Sequence, residues 1–303
     1  MTKLRVLDLF SGIGGFSLGL ERTGGFETVA FCEIEDFPRR VLAKHWPEVP
    51  QYDDVRTLTG ARLAADGIAV DVITGGFPCQ DLSTAGRQAG MGEGTRSGLW
   101  SEIVRLIGEL QPRYVIVENV ANLLSGPSEK RGGWFGRVLG DLAESGYDAE
   151  WRSIPASNLG AWHKRERIWV IAYPNAAQDR RQVSGRGNIG RLPNPKISVQ
   201  LWAELGRICA SRDAATLRNA TSIGQSRSGK PVQSISAEAA THRQAVGLVA
   251  GGIGSIWRSE PDVGRVANGV PQRVDRLGGL GNAVVPQIPE MIGHAILAAE
   301  AAQ

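Results

Sequence analysis

The chain has 303 residues and a net charge of +3, and its 42% hydrophobic and 21% charged residues are typical of a globular protein. Its three cysteines, Cys32, Cys79 and Cys209, are far apart and odd in number, which excludes a disulfide framework and favours a reducing compartment. No apolar run approaches the ~18 residues of a membrane span, and the N-terminus does not resemble a signal peptide, so we expect a cytoplasmic protein.

Strand-like and helix-like patterns alternate over the first 174 residues. Short apolar runs typical of strands lie at 4–10, 26–34, 70–78, 113–120 and 166–174. Helical spacing occurs between them, at 16–24, 35–46, 101–112 and 137–147. This alternation predicts an α/β domain whose mostly parallel sheet is covered by helices on both faces.

A glycine-rich turn joins the first strand to the first helix. Gly12, Gly14 and Gly15 permit a tight turn and the close approach of a ligand, although their spacing is not that of a dinucleotide site and no P-loop lysine follows. Glu33, at the end of the second strand, can accept hydrogen bonds from two ribose hydroxyls, and Asp54 from an adenine amino group. These carboxylates favour an adenosine-bearing ligand over a purely structural turn.

The stretch GGFPCQDLSTAG, residues 75–86, places Cys79 directly after Pro78 where a predicted parallel strand ends. Open α/β sheets carry their chemistry at that edge, and a cysteine acts there as a thiolate nucleophile. The alternative interpretation, a small apolar filler, fits Cys32 better because Cys32 lies inside an apolar strand. Cys209 has the pattern of a structural residue in a helix.

Three charged residues surround the ends of the next strands. Glu118 ends the apolar run VIVENV, and a partly desolvated carboxyl has a raised pKa and can donate a proton. Arg165 and Arg167 are two residues apart before a strand and therefore share a face, where they can hold an anion or a ring carbonyl. The alternatives are a surface glutamate and a pair of charges at a sheet edge.

The character of the chain changes after residue 174. Residues 175–260 contain twelve Lys and Arg against five Asp and Glu, and the excess indicates either a solvated surface or a face that neutralises phosphates. One convincing helix pattern lies at 201–210. From residue 271 onward we predict a glycine turn, a short apolar run and a last helix that returns to the first domain.

Taken together, these stretches resemble the C5-cytosine DNA methyltransferase family. LDLFSGIGGFSLGL resembles its first motif, GGFPCQDLSTAG its catalytic motif, ENV its acid motif, HKRERI its arginine motif and GNAVVP its last motif. The matches follow the family order. The resemblance implies a Rossmann-like S-adenosylmethionine-dependent methyltransferase sheet at 1–174, a small irregular target-recognition domain at 175–265, and a segment at 266–303 that returns to the catalytic domain.

The resemblance also implies a DNA (cytosine-5-)-methyltransferase that acts through a covalent adduct. Cys79 would attack C6 of a flipped-out cytosine, Glu118 would protonate or hydrogen-bond N3, and Arg165, with Arg167 beside it, would bind O2. The methyl group would come from S-adenosyl-L-methionine, and no metal is expected. The cofactor-binding positions carried over from the family are Phe10, Ser11, Gly12, Gly14, Gly15, Glu33, Asp54, Pro78, Leu99, Asn282 and Val284.

Two departures from the family pattern accompany these matches. His163 replaces the usual glutamine of the arginine motif, and RVANGVPQRVDRL replaces a clear penultimate motif, as in solitary or phage-associated members. We expect double-stranded DNA as the substrate, a bacterial or phage-encoded protein of the restriction–modification type, and a monomer without an obligate protein partner. The alternatives are a tRNA cytosine-5 methyltransferase, a non-catalytic DNA-binding relative and an NAD-dependent oxidoreductase.

Overall fold

The computed structural model describes residues 2–77, 99–124, 133–161, 163–175 and 273–301. The strands are β1 (Leu4–Leu9), β2 (Phe26–Cys32), β3 (Gln51–Tyr52), β4 (Val72–Gly75), β5 (Tyr114–Val120), β6 (Tyr147–Pro155) and β7 (Glu166–Pro174). The helices are α1 (Gly15–Glu21), α2 (Asp36–His45), α3 (Gly60–Ala65), α4 (Trp100–Leu110), α5 (Gly133–Glu144), α6 (Arg273–Asn282) and α7 (Gln287–Ala301). Among these helices none is long and apolar enough to cross a membrane.

The seven strands form one sheet in the order β3-β2-β1-β4-β5-β7-β6. Strands β1 to β5 pair in parallel, whereas β7 runs antiparallel to both β5 and β6. The predicted Rossmann-like α/β sheet is thereby confirmed. It differs from the sheet of a dinucleotide-binding domain because β7 is inserted between β5 and β6. The strand order reverses between β1 and β4, and ligands of such sheets bind at that reversal.

Two apolar clusters cover the two faces of the sheet, as the alternation of strands and helices predicts. Helices α3, α4 and α5 pack on one face. Helices α1 and α7 pack on the other, where Phe16 and Leu20 meet Ile292 and Ile296. The C-terminal helix thus lies against the first helix of the chain. The boundaries at 174 and 265 stay predictions, because residues 176–272, including the helix pattern at 201–210, lie outside the described residues.

Sequence patterns missed β3, α3 and β6, and misjudged α6. Residues 147–155 do alternate between apolar or small and charged residues, which is a strand signal that went unused. The stretch RLGGLGN was predicted as a glycine turn but belongs to helix α6. Gly279 of this helix lies close to Phe37 and Ile13, and this tertiary packing outweighs the low helix propensity of glycine.

Helix α1 presents two glycines, Gly15 and Gly19, to the segment that leads into α7. A Cβ on Gly15 would lie 2.5 Å from the carbonyl oxygen of Val284. A Cβ on Gly19 would lie 2.7 Å from Cγ of Pro289 and 3.0 Å from the amide nitrogen of Glu290. The two backbones therefore approach as closely as they do because side chains are missing on α1.

We expect Gly19→Ala to lower the free energy of unfolding by about 1–3 kcal/mol, since backbone and a proline ring would have to move apart. The matched control is Gly140→Ala on α5, which has open space around it. That change should raise stability by about 0.5–1 kcal/mol through helix propensity alone. Urea unfolding of both variants measures the sign of each change in the free energy of unfolding. A neutral or stabilising Gly19→Ala would contradict this packing.

Candidate active site

Several of the predicted site residues that the structure describes, among them Phe10, Glu33 and Glu118, lie near the carboxyl ends of the parallel strands. Phe10, at the end of β1, has a φ of +53°, and Gly14, at the start of α1, has a φ of +83°. A side chain on Gly14 would collide with the ring of Trp46, 2.7 Å from where its Cβ would be. The turn therefore needs a glycine at this position for both its backbone angle and its space.

Ser11 and Glu33 fasten this turn to the end of β2. The Ser11 hydroxyl donates to the carbonyl oxygen of Asp8 at 2.5 Å and accepts from the amide of Cys32 at 3.2 Å. The Glu33 carboxylate accepts from the amides of Gly12 at 2.7 Å and Glu35 at 2.8 Å. Burial raises the pKa of Glu33, and these two amides partly oppose the rise. A carboxylate oxygen has more than one acceptor lone pair, so Glu33 can also accept from the hydroxyls of a ligand.

Asp54 lies in the loop after β3, beside the end of β2. Arg56, in the same loop, donates two hydrogen bonds to this carboxylate, with Nη2 at 2.7 Å from Oδ2 and Nε at 2.9 Å from Oδ1. The hydrogen bond from Arg56 lowers the pKa of Asp54, and this carboxyl is therefore charged at neutral pH. Burial and the nearby carboxylates of Glu33 and Asp54 raise the pKa of Cys32 to about 12, which keeps that thiol neutral, as expected for a structural cysteine.

The remaining cofactor positions are less uniformly placed. Val284 packs its backbone against Gly15, next to the glycine turn. Asn282 is the exposed last residue of α6, and Leu99 lies half-buried at the start of α4. Pro78 and Cys79 lie outside the described residues. An additional apolar side chain, Ile34, follows Glu33 and is 63% exposed, which sequence reasoning overlooked.

Glu118 is largely buried near the end of β5, with its side chain 12% exposed, and its carboxylate meets one arginine directly. Its Oε1 lies 3.1 Å from Nε of Arg167. A Cβ on Gly76, just beyond β4, would lie 3.5 Å from Oε2. Burial raises the pKa of Glu118, and the charges of Arg167 and Arg165 offset part of that rise. A desolvated carboxyl whose pKa stays raised despite those cations suits proton donation.

Arg165 makes a different contact from Arg167. Its Nη1 donates to the carbonyl oxygen of Gly281, 116 residues further along the chain, at 2.5 Å. Its backbone has a φ of +28°, in the left-handed region. Burial and the charge of Arg167 lower the pKa of Arg165. The neighbouring His163 is exposed, so the residue that replaces the usual glutamine does not lie inside this cluster.

Two buried polar residues that the sequence analysis missed support these strand ends. The Asn119 side chain donates to the carbonyl oxygen of Phe77 at 3.2 Å and accepts from the amide of Val120 at 2.8 Å. Phe77 directly precedes Pro78. Asp8 is buried within β1, where it accepts from Thr74 at 2.7 Å and Ser17 at 2.8 Å. Buried polar side chains in apolar strands need such partners, which was the signal available in the sequence.

Within the described parts of the chain, no group of three or more His, Cys, Asp or Glu side chains is arranged to hold a metal ion. The glycine turn and Glu33 follow the neighbouring strands β1 and β2, whereas Glu118 and Arg167 pair across the neighbouring strands β5 and β7.

Comparisons with known proteins match this arrangement to one family. The model for the C-5 cytosine-specific DNA methylase family matches residues 4–217, which is more than half of the chain. Type II methyltransferase M.Sau3AI of Staphylococcus aureus is 34% identical over 183 residues, which are 57% of this chain and 44% of that protein. Type II methyltransferase M.HhaI of Haemophilus parahaemolyticus is 34% identical over 175 residues, 58% of this chain and 50% of that protein.

A solved structure of Dnmt2 methyltransferase from S. pombe aligns with a TM-score of 0.46 at 21% identity, covering 63% of this chain and 58% of that one. The chain thus spans about half the length of the curated relatives it matches. The match of the family model over residues 4–217 shows that the chain belongs to the C-5 cytosine-specific DNA methylase family.

Proposed function

We propose that this chain is a DNA (cytosine-5-)-methyltransferase, which transfers the methyl group of S-adenosyl-L-methionine to C5 of a cytosine. The observation that carries the proposal is the buried Glu118 carboxyl, 3.1 Å from Arg167 and next to Gly76. Gly76 is three residues before Cys79. Glu118 thus lies on the strand next to β4, the strand that precedes Cys79 in the sequence, and this supports an addition across one pyrimidine ring.

The proposed nucleophile is the thiolate of Cys79, which bonds to C6 of the ring and makes C5 electron-rich. Asn119 supports this step indirectly, since it holds the carbonyl of Phe77, the residue joined to Pro78. Once C5 has taken the methyl group, loss of the C5 proton and release of Cys79 restore the aromatic ring. The cysteine itself lies outside the described residues. Its position in the sequence and the family of the chain support this role.

Glu118 is proposed to hydrogen-bond or protonate N3, which offsets the charge that the addition places on the ring. The atoms N3 and O2 are neighbours on the pyrimidine, so the group that binds O2 must lie beside Glu118. The contacts therefore favour Arg167 for O2, because Arg165 is engaged with Gly281. Arg165, the residue expected from the resemblance, would have to leave that carbonyl first.

The cofactor proposal rests on the hydrogen-bond acceptors and the apolar side chain around the glycine turn. The Glu33 oxygens keep lone pairs for ribose hydroxyls, Asp54 offers an acceptor for an amino group, and exposed Ile34 offers an apolar surface for a flat ring. These residues fit an adenosine. Bound S-adenosylmethionine supplies an electrophilic methyl group on its sulfonium.

The proposed substrate is a specific site in double-stranded DNA, with the target base extruded at a cost of roughly a few kcal/mol. We propose that residues 175–265 recognise the target, which their excess of positive charge supports through phosphate contacts. A cytoplasmic setting in a bacterium or on a phage genome fits the Type II names of the relatives, and a monomer remains our expectation.

Bisulfite sequencing of DNA from cells that express the full chain tests this function. We expect protected cytosines in one sequence context, and none in cells that express Cys79→Ser. The purified unaltered chain should also become covalently linked to DNA that carries 5-fluorocytosine, because fluorine blocks the final elimination.

Other results would name a different function. Binding of S-adenosylmethionine and DNA without any methylated cytosine would indicate a non-catalytic relative. Methylated RNA with unmodified DNA would indicate the tRNA-directed alternative, and binding of NAD instead of S-adenosylmethionine would indicate an oxidoreductase. Robust turnover by Cys79→Ser would overturn the adduct mechanism.

A further inference from the structure

Arg105, in the second turn of α4, joins that helix to the loop that carries Asp54. Its Nη2 donates to the carbonyl oxygens of Val55 at 3.0 Å and Leu58 at 2.8 Å. Two carboxylates on α4 hold the same guanidinium, with Glu102 at 2.9 Å from Nε and Glu109 at 2.7 Å from Nη1. The Arg105 guanidinium therefore donates to two backbone carbonyls of the loop, while the carboxylates of Glu102 and Glu109 fix its orientation.

Glu109 extends this connection to the far end of the loop. Its second oxygen accepts from the amide of Gly60, the first residue of α3, at 2.6 Å. Burial disfavours the charged form of Glu109, but the bonds from Gly60 and Arg105 outweigh it and lower the pKa. The Arg105–Glu109 pair is therefore ionised at neutral pH and holds residues 55–60 against α4.

The held segment leads directly back to Asp54. The amides of Thr57 and Leu58 both donate to the Asp54 carbonyl oxygen at 3.1 Å. A shift of the Leu58 carbonyl would therefore move the backbone of Asp54. The Asp54 side chain is also pre-oriented by Arg56, although both groups are partly exposed. Ion pairs of that kind are weak, so an amino group of a ligand can replace one of the Arg56 donors.

We propose that Arg105 is a positioning residue that sets the place of the Asp54 carboxylate and thereby gives the site its preference for an adenine over a 6-oxopurine ring. The inference rests on the proposed function, in which Asp54 accepts a hydrogen bond from the 6-amino group. An amino group donates to the carboxylate, whereas an oxo group presents a second acceptor. The preference therefore depends on where the Asp54 oxygens lie, which a general loss of packing would not affect selectively.

The test is calorimetric titration of the full chain with S-adenosylhomocysteine and with S-inosylhomocysteine, in which the 6-amino group is replaced by oxygen. A hydrogen bond to a charged group leads us to expect that the unaltered chain prefers the adenosine form by roughly 10- to 100-fold. Arg105→Lys keeps the charge but cannot span two carbonyls and two carboxylates. We expect it to reduce the preference by about tenfold, mainly by weakening the adenosine form.

Arg137→Lys on α5 is the matched control, since Arg137 is half-exposed and pairs with Asp141 on its own helix, and it should keep the full preference. In methyl transfer, Arg105→Lys should raise KM for S-adenosylmethionine more than it lowers kcat. If Arg105→Lys does not fold, Glu109→Gln decides the question, because it removes the charge opposite Arg105 and should lower the preference by a smaller factor.

Equal weakening of both ligands, or an unchanged preference, would overturn the inference and leave Arg105 with a structural role. The proposed function fails in a different way, since an unaltered chain that binds neither ligand lacks the adenosine site altogether. An unaltered chain that binds both ligands equally would keep the site but remove Asp54 from adenine recognition, and with it the role of Arg105.

Discussion

Glu118→Gln is expected to lower kcat for methyl transfer by about 10²- to 10⁴-fold, the range that general acid catalysis contributes. Glutamine preserves the shape of the side chain and can still donate a hydrogen bond to N3, but it has no acidic proton to transfer. Burial already raises the pKa of Glu118 against the pull of Arg167 and Arg165. Single-turnover rates at saturating S-adenosylmethionine and DNA measure the effect on the chemical step.

The matched control is Glu166→Gln, at the first residue of β7, where the carboxylate pairs with Lys164 and accepts from the hydroxyl of Ser153. That variant should keep its rate within about twofold, because surface ion pairs contribute little. Affinity for S-adenosylhomocysteine should be unchanged in both variants. A Glu118→Gln rate within tenfold of the unaltered chain would remove Glu118 from proton transfer.

Asp8→Asn is expected to stabilise the protein at neutral pH by up to about 4 kcal/mol and to have much less effect near pH 4. Burial raises the pKa of Asp8 from 3.8 to about 7, although the hydroxyls of Thr74 and Ser17 donate to it. The unfolded chain therefore releases this proton at a lower pH than the folded chain. The contribution of Asp8 to stability is consequently largest below pH 4 and is lost as the pH rises toward 7.

Asparagine fits the same space, since both hydroxyls can rotate to pair with an amide. Urea unfolding between pH 2 and pH 8 measures the difference between the two chains. Asp71→Asn supplies a control of opposite sign, because hydrogen bonds from Arg5 outweigh burial and lower the pKa of Asp71. That variant should lose stability at neutral pH and recover it in acid. A constant difference between Asp8→Asn and the unaltered chain across this range would contradict a neutral Asp8.

The sequence predicted those parts of the fold that produce a local pattern of apolar and polar residues. Apolar runs located β1, β2, β4, β5 and β7, and the position of Glu33 after β2 followed from the length of that run. Strand β3 is too short for such a signal, with two residues. The glycines of α6 locally favour a turn. The contacts of Gly279 with Phe37 and Ile13, which accompany the helix, come from distant parts of the chain and are not visible in the local pattern.

The sequence motifs named candidate site residues but did not specify the contacts among them. The motifs identified Glu118, Arg165 and Arg167, but no spacing distinguishes which arginine meets the carboxylate. The structure separates them, since Arg167 pairs with Glu118 and Arg165 with Gly281. The roles of Asn119 and Arg105 depend likewise on backbone carbonyls more than 40 residues away in sequence, and a side chain's partner at that range follows only from the folded chain.

The close contact between α1 and the segment leading into α7 has a consequence for biosynthesis. Phe16 and Leu20 face Ile292 and Ile296 across that contact, so the first helix cannot finish burying its apolar side before residues 292 and 296 leave the ribosome. A nascent chain that ends near residue 175 would expose this side to other proteins, which makes it prone to aggregation. Completion of the sheet's second face therefore waits for the synthesis of α7, and holdase chaperones should bind the growing chain there.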